Sequence, residues 1–160
     1  MKFTIRKAIK EDASAILGLI KELAAFEKYL DAVTITVTDL KRDGFGENPL
    51  FQTIIAEKEN EIVGMALYYY RYSTWKGRTI HLEDLIVKHS MRGQNIGSVL
   101  YKAVLQQAYN EKIRRVEWAV LDWNTPARDF YIKSGAKILD GWETVQMDEK
   151  GLKNYILNNK

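Results

Sequence analysis

The sequence predicts an α/β (α+β) fold in which helices flank a mixed central β-sheet with a splayed pair of parallel strands. One observation is the stretch 79–107, where an apolar strand pattern passes through a glycine-containing turn into an amphipathic helix. A strand pattern at 115–121 follows that helix, and strand, helix and strand in succession form a right-handed parallel crossover. The patterns at 51–57 and 62–72 are joined by a short polar connection, which indicates an antiparallel hairpin.

The elements before this hairpin follow from spacing and turn residues. Alternation predicts a first strand over residues 3–8. Asp12 is a suitable N-cap for a first helix, because apolar residues recur behind it at helical spacing: Ile16, Leu19, Ile20, Leu23 and Phe26. We expect a second, short helix after Thr38 and a turn over residues 43–49.

The elements after the crossover are a helix, a strand and a second helix. Asn124 or Thr125 caps a helix with Pro126 in its first turn, and this helix ends near Gly135. The pattern at 137–147 predicts a last strand, interrupted at Asp140 and Gly141, before a polar helix ends the chain. The order of elements is that of one domain, residues 1–160.

Composition excludes several classes of protein and of site. The 160 residues are 46% hydrophobic with only two prolines, which predicts a globular chain with its own core. The chain lacks cysteine, and its two histidines have no spacing partner, so we expect neither a thiolate nucleophile nor a metal site. A net charge of +3 without a basic cluster argues against nucleic-acid binding. Without a signal peptide or a long apolar run, we expect a cytoplasmic protein that does not enter a membrane.

The turn at 92–97, with the sequence Arg-Gly-Gln-Asn-Ile-Gly, is a candidate anion site. It follows a strand and begins a helix, so free backbone N–H groups and the helix dipole point at the same place. A P-loop would need lysine and then serine or threonine after the last glycine, where this chain has Ser98 and Val99. A Rossmann fold would have its glycines near the first strand. The remaining interpretation is a ligand whose phosphates bind at a helix N-terminus in the middle of a mixed sheet.

Two acids interrupt the apolar strand before this turn. Glu83 and Asp84 stand between Leu82 and the apolar run Leu85, Ile86, Val87. Neighbouring strand residues point to opposite faces, so at least one carboxylate should face a buried region, where it must be paired or raise its pKa. Such a residue is a candidate functional acid or base. Alternatively, both acids lie at a strand end in contact with solvent.

The turn at 92–97, which follows the strand that ends at Val87, resembles the acyl-coenzyme A turn of the GCN5-related N-acetyltransferases. The resemblance extends over nearly the whole chain to the diamine acetyltransferase branch, which contains the spermidine/spermine and thialysine acetyltransferases. It is carried, in this order, by residues 21–24, 43–47, 72–78, 82–84 and 119–124, by Phe130 with Tyr131, and by Gly135 with Ala136. The segments 72–78 and 121–124 are more similar to the thialysine type.

The resemblance implies a site for acetyl-coenzyme A. Leu85, Ile86 and Val87 match the strand whose backbone pairs with the pantetheine arm and polarises the thioester carbonyl. The amides of the turn match the pyrophosphate site, and Asn124 matches a residue that hydrogen-bonds the pantetheine arm. The turn residues concerned are Arg92, Gly93, Gln94, Asn95, Ile96, Gly97 and Ser98.

The resemblance also implies the catalytic and substrate residues. Glu83 matches the acid that takes the proton of the attacking amine through water, and Tyr131 matches the general acid that protonates the leaving thiolate at the coenzyme. A tyrosine packed against Phe130 is the simpler interpretation of Tyr131 without the family. The residues that match the amine channel are Glu27, Trp75, Glu83 and Asp84.

Two positions depart from the pattern of the family. Asn95 stands where glycine is usual, and asparagine tolerates a left-handed backbone, so the turn should persist with weaker coenzyme affinity. Ser73 stands where the polyamine enzymes have an acid, which argues against long polyamines.

The expected activity is acetyl transfer from acetyl-coenzyme A to a primary amine of a small diamine, polyamine or lysine analogue, in a homodimer that uses no metal. The alternatives are acetylation of a protein N-terminus or an aminoglycoside, and a non-catalytic coenzyme A-binding regulatory protein. Asn95 favours the last of these, whereas Glu83 and Tyr131 together argue against it.

Overall fold

The computed structural model describes residues 2–158 and divides after Ala119 into two compact units. The first unit holds a five-stranded sheet with the strand order β1-β2-β3-β4-β5, in which β4 and β5 are parallel and all other pairs are antiparallel. The mixed sheet and its parallel pair confirm the predicted fold class. The elements are β1 (Thr4–Lys7), α1 (Ala13–Phe26), α2 (Val37–Phe45), β2 (Gln52–Lys58), β3 (Glu61–Ser73), β4 (Gly77–Val87), α3 (Ile96–Asn110) and β5 (Val116–Glu117).

The predicted β2–β3 hairpin is confirmed, with a two-residue turn. Glu59 and Asn60 have φ angles of 52° and 65°. Positive φ at both central residues matches the twist of the flanking strands, which makes this the favoured type of short hairpin turn. The turn fixes the register of β3, and β3 in turn aligns β4.

Helices cover both faces of the sheet. Buried side chains of α1 and α2 form one core with Ile55, Met65 and Ile86 of the strands; the helical members are Ala13, Ile16, Leu19 and Leu40. On the opposite face a Cβ at Gly64, next to Met65, would lie 3.3 Å from Leu100 of α3. The near-continuous apolar pattern of β4 is therefore that of a strand covered on both sides.

The second unit contains two helices, α4 (Thr125–Lys133) and α5 (Glu149–Asn158). Asn124 caps α4 by accepting a hydrogen bond from the N–H of Ala127, and Pro126 lies in its first turn, as predicted. None of the helices in residues 2–158 is long and apolar enough to cross a bilayer.

The predicted strand at 137–147 is wrong. The structure gives these residues no regular secondary structure, and Leu139, Trp142 and Val145 are 74%, 77% and 93% exposed. A strand requires a partner that supplies ladder hydrogen bonds, and an alternating pattern alone does not supply one. Gly141, with a φ of 83°, also interrupts the segment.

One helix start, one strand length and one helix cap differ from the sequence prediction. The second helix begins at Val37, because Thr36 and Asp39 form a reciprocal capping box. The last strand of the sheet is only Val116–Glu117, since its pairing with β4 covers two residues. Asp12 occupies the N-cap position of α1, but its side chain accepts hydrogen bonds from the N–H of Ile9 and from Arg6 instead of capping the helix.

Arg6 joins β1 to the start of α1 and to β2. Its guanidinium contacts Asp12 at 2.7 Å and Glu57 at 2.9 Å, and Asp12 is buried. The hydrogen bonds from Arg6 hold the pKa of the Asp12 carboxyl below its ordinary value of 3.8. This ion pair therefore fixes the edge of the sheet against the first helix.

We predict that Asp12→Asn lowers the free energy of unfolding by about 2 kcal/mol at pH 7, because it leaves Arg6 without its buried partner. The folded-state pKa of Asp12 is lowered, so its stabilisation is complete above the ordinary value and is lost as the pH falls through the lowered one. Urea titrations at pH 7 and pH 3 measure the difference. The exposed-acid control Asp31→Asn should change stability by less than about 0.5 kcal/mol; equal effects of the two substitutions would contradict the prediction.

Candidate active site

A β-bulge in β4 determines where the two acids point. Leu67 pairs with Asp84 and the next residue, Tyr68, pairs with Leu82, so Glu83 is the extra residue of the bulge. An extra residue breaks the alternation of a strand and redirects the side chains on either side of it. Glu83 and Asp84 therefore point to the same face of the sheet, although they are neighbours in the sequence.

That face is the one that α1 covers. Cross-strand partners share a face, and the pair Met65–Ile86 lies in the core beneath α1. Continuing along β3, Leu67 with Asp84 and then Tyr69 with His81 lie on this face. The bulge thus brings two carboxylates and an imidazole to one side of β4.

Asp84 is half-buried, and its carboxyl pKa is raised to about 6. Burial is the main cause, followed by the negative charges of Glu83 and of Glu27. Glu27 caps the C-terminus of α1, and burial raises its pKa as well. Glu27, Glu83 and Asp84 therefore form one group of acids, which we call the acid cluster, and its members repel one another without a cation.

Beside the acid cluster, one edge of β4 is open. The described pairs between β4 and β5 are Ile80 with Val116 and His81 with Glu117, and β5 ends at Glu117. On its other edge β4 remains paired with β3 as far as Val87. Among residues 2–158 no strand pairs with Leu85 to Val87 on that side, where only Arg92 contacts the Val87 carbonyl, so an extended ligand could add to the sheet edge there.

The predicted turn has the backbone of an anion site. Gly93 and Asn95 have φ angles of 75° and 65°, and Asn95 is the N-cap residue of α3 in the left-handed conformation. Asn95 therefore has the left-handed backbone that glycine adopts most easily, which explains why glycine is usual at this position of the turn. Arg92 lies beside the turn, with Nε 3.3 Å from the carbonyl oxygen of Val87 and its guanidinium 5.0 Å from the ring centre of Phe26. The amides at the start of α3 and one guanidinium can thus serve the same anion.

Lys58 is a residue of this region that the sequence analysis missed. It ends β2, its side chain is buried, and its Nζ lies 3.4 Å from Oε1 of Gln94 in the turn. A lysine followed by Glu59 and Asn60 is typical of an exposed hairpin, so the sequence contains no signal for this placement. Its ammonium adds positive charge next to the predicted phosphate site.

Trp75 lies apart from the acid cluster. It belongs to the β3–β4 turn and is 76% exposed, whereas Glu83 lies further along β4. The strand from Gly77 to Glu83 spans roughly 20 Å at about 3.3 Å per residue. In the same turn, Ser73 accepts hydrogen bonds from the backbone N–H groups of Trp75 and Lys76, both at 3.2 Å. The structure thus gathers three of the four predicted amine-channel residues.

The second unit carries the two remaining candidates on one short helix. Asn124 is the N-cap of α4, and its side-chain oxygen already accepts the N–H of Ala127 at 3.4 Å. Tyr131 lies two turns further along, half-buried, with its ring centre 5.3 Å from that of Phe130. The contact with Phe130 fits both interpretations of Tyr131 that the sequence allowed. Among residues 2–158, no group of histidine and acid side chains has the arrangement of a metal site.

Comparison with known proteins gives consistent results. The model of the acetyltransferase (GNAT) family matches residues 18–136. The chain is 41% identical to a thialysine N-epsilon-acetyltransferase of Bos taurus, over 93% of this chain and 94% of the relative. It is 38% identical, over 94% of its length, to spermidine/spermine N(1)-acetyltransferase-like protein 1 of Homo sapiens, of which it spans 23%.

A solved structure of similar fold is an integron cassette protein from the mobile metagenome of V. cholerae. It superimposes with a TM-score of 0.79 at 24% sequence identity, and the match covers 98% of each chain. This likeness supports the architecture of the sheet and its helices.

We predict that Asp84→Asn raises the free energy of unfolding by about 1–2 kcal/mol at pH 8. The folded-state pKa of Asp84 lies near 6, above its ordinary value of 3.8, so the charged form destabilises the fold as the pH rises between these values. The gain should shrink at pH 5. Urea titrations at the two pH values test this, with Asp12→Asn as the matched control that destabilises. Equal stability of Asp84→Asn and the parent at pH 8 would refute the burial argument.

Proposed function

The chain belongs to the acetyltransferase (GNAT) family, and from this premise we propose that it transfers an acetyl group from acetyl-coenzyme A to a primary amine of a lysine analogue or a small diamine. The family match at 18–136 and the 41% identity to a thialysine acetyltransferase confirm the family membership that the motifs of the sequence indicated. The amine attacks the thioester carbonyl directly, which agrees with a chain that has no cysteine to carry an acyl group.

The acid cluster is the observation that carries this proposal. Burial and the charges of Glu83 and Glu27 raise the pKa of the Asp84 carboxyl, and an alkylammonium group between these carboxylates would relieve their repulsion. They lie beside the open edge of β4, where the thioester would be held. A cationic amine therefore binds next to the carbonyl that it attacks.

Two side chains handle the protons. An alkyl amine with a pKa of about 10.4 is neutral in roughly one molecule in two thousand at pH 7, so attack requires a proton acceptor. We assign this role to Glu83, whose side chain is 53% exposed and thus reaches water. We assign to Tyr131 the protonation of the leaving thiolate. Both roles come from the match to the family, and the position of Glu83 in the bulge supports the first.

The residues that would hold acetyl-coenzyme A fit its parts. The edge of β4 at Leu85, Ile86 and Val87 suits the amides of the pantetheine arm, and we assign Asn124 to the same arm from the match to the family alone. The turn suits the pyrophosphate, with charge added by Arg92 and Lys58; its members are Gly93, Gln94, Asn95, Ile96, Gly97 and Ser98. When bound, the coenzyme supplies the activated acetyl group.

A lysine analogue suits this chain better than a long polyamine. Ser73 contributes no charge at the β3–β4 turn, and its hydroxyl is used by the backbone N–H groups there. The second ammonium group of a long polyamine would therefore find no carboxylate at position 73, beside Trp75. The names of the relatives agree, since those at 41% identity are thialysine acetyltransferases.

The two units form one acetyltransferase domain in this proposal, and the protein is a cytoplasmic homodimer. The family match at 18–136 crosses the boundary after Ala119, which supports a single domain. The second unit exposes many large apolar side chains, and apolar side chains at a surface mark interaction sites where they cluster. The side chains with at least 54% exposure are Ile132, Leu139, Trp142, Val145, Met147, Leu152, Tyr155, Ile156 and Leu157.

We predict that the protein sediments at twice the mass of one chain and that Val145→Asp shifts it toward monomer. An acid at a position that is 93% exposed in one chain costs little unless a second chain buries it. Leu50→Asp, at a 70% exposed position of the first unit, serves as control and should leave the dimer intact. A monomeric parent protein in sedimentation velocity would refute the homodimer.

We predict amine-dependent release of free thiol from acetyl-coenzyme A, fastest with thialysine, then lysine and ornithine, and at least about 10-fold slower with spermidine and spermine. The assay also includes putrescine, an aminoglycoside and a peptide with a free N-terminus.

Tyr131→Phe should lower kcat by roughly 10²-fold with little change in acetyl-coenzyme A affinity, and Glu83→Gln should shift the pH–rate profile upward.

Tyr109→Phe is the matched control, since this tyrosine is 80% exposed at the end of α3; its kcat should stay within twofold of the parent. Release that is fastest with the aminoglycoside or the peptide would replace the proposed substrate class. Binding of the coenzyme without release for any amine would indicate a non-catalytic protein. An unchanged kcat in Tyr131→Phe would remove that residue from the mechanism.

A further inference from the structure

We propose that His81 is a positioning residue for Glu83: its Nε2–H donates to the Glu83 carboxylate and keeps that carboxylate ionised and directed at the incoming amine. This inference rests on the proposed function, because it concerns the base of that reaction. The sequence analysis considered His81 only as a metal ligand, and nothing in its spacing distinguished it.

The contacts of His81 define its place. The bulge sets His81 and Glu83 on the same face, with Nε2 of His81 3.5 Å from Oε2 of Glu83. The imidazole ring also packs on Tyr69, with ring centres 5.2 Å apart, and is mostly buried. The ring is therefore held from below, and only its edges are available for polar contacts.

Arg71 determines which nitrogen carries the proton. Its Nη1 lies 3.5 Å from Nδ1 of His81 and 2.5 Å from Oε1 of Glu117. A guanidinium only donates, and the ion pair with Glu117 holds it beside the imidazole. Nδ1 then accepts, and in the neutral imidazole the hydrogen resides on Nε2. That hydrogen faces Glu83.

The environment explains why Glu83 needs this donor. The negative charge of Glu83 adds to burial in raising the pKa of the Tyr69 hydroxyl, so the two groups are close. The Glu83 carboxylate also lies close enough to Asp84 to raise the pKa of that carboxyl, so an N–H donor at Glu83 offsets negative charge that two neighbouring carboxylates share. The charged and titratable groups that face the His81–Glu83 pair are Tyr69 and Arg71 of β3, Asp84 of β4, Glu117 of β5 and Glu27 after α1.

Two substitutions separate the donor from the ring. His81→Phe keeps an aromatic ring on Tyr69 but loses the N–H, whereas His81→Gln keeps an N–H donor and loses the ring. His89→Phe is the control at the other histidine of the chain, which is exposed. Two readouts are taken: the pH dependence of kcat with thialysine, and the titration of the Glu83 side-chain carboxyl by ¹³C NMR, assigned by its absence in Glu83→Gln.

In His81→Phe, we expect the Glu83 titration and the acid limb of the kcat profile to move up by roughly 0.5–1 pH unit. We also expect kcat at pH 7 to fall roughly 10-fold, with an unchanged KM for acetyl-coenzyme A. His81→Gln should stay within about twofold of the parent in kcat and close to it in both midpoints, and His89→Phe should match the parent.

An unmoved Glu83 titration in His81→Phe overturns the inference, and so does a His81→Gln variant that behaves like His81→Phe. A shifted Glu83 titration with an unshifted rate profile overturns it as well, because His81 would then not act on catalysis. A parent protein without amine-dependent thiol release refutes the proposed function. The NMR titration needs no activity, so it decides separately whether His81 controls the ionisation of Glu83.

Discussion

The bulge at Glu83 is the constraint on which the rest of the candidate site depends. In a regular strand Glu83 and Asp84 would point to opposite faces, and one of them would enter the apolar layer beneath α3. One extra residue sends both toward α1 and Glu27 instead. The hairpins that align β2, β3 and β4 hold the bulge in register, so the position of the acids follows from the whole sheet.

The acid cluster has an energetic cost that other contacts offset. Burial of Asp84, followed by the charges of Glu83 and Glu27, raises the pKa of that carboxyl to about 6, which means that its charged form destabilises the folded chain. The Arg6–Asp12 pair acts in the opposite direction at the edge of the sheet. A protein that binds a cation with preformed carboxylates has to accept this cost, because stability and function make opposite demands on the same groups.

Much of the fold and part of the site followed from local patterns. The hairpin turn at Glu59 and Asn60 and the cap at Asn124 depend on residues close in sequence, and asparagine favours both the left-handed backbone and the N-cap position. The segment 137–147 shows where local patterns fail to predict the structure. Its alternation is that of a strand, but a strand exists only where another strand pairs with it, and the sequence does not say where that partner lies.

The sequence by itself determined the mixed sheet, the glycine-containing turn before α3 and the family, because periodicity, turn residues and the order of the motifs all lie within short stretches of chain. Only the tertiary structure decided that Glu27 joins Glu83 and Asp84, that Lys58 lies against the turn, and that His81 faces Glu83 from between Arg71 and Tyr69. These contacts join residues on different elements, and their geometry depends on strand register and on the bulge, which no local pattern encodes.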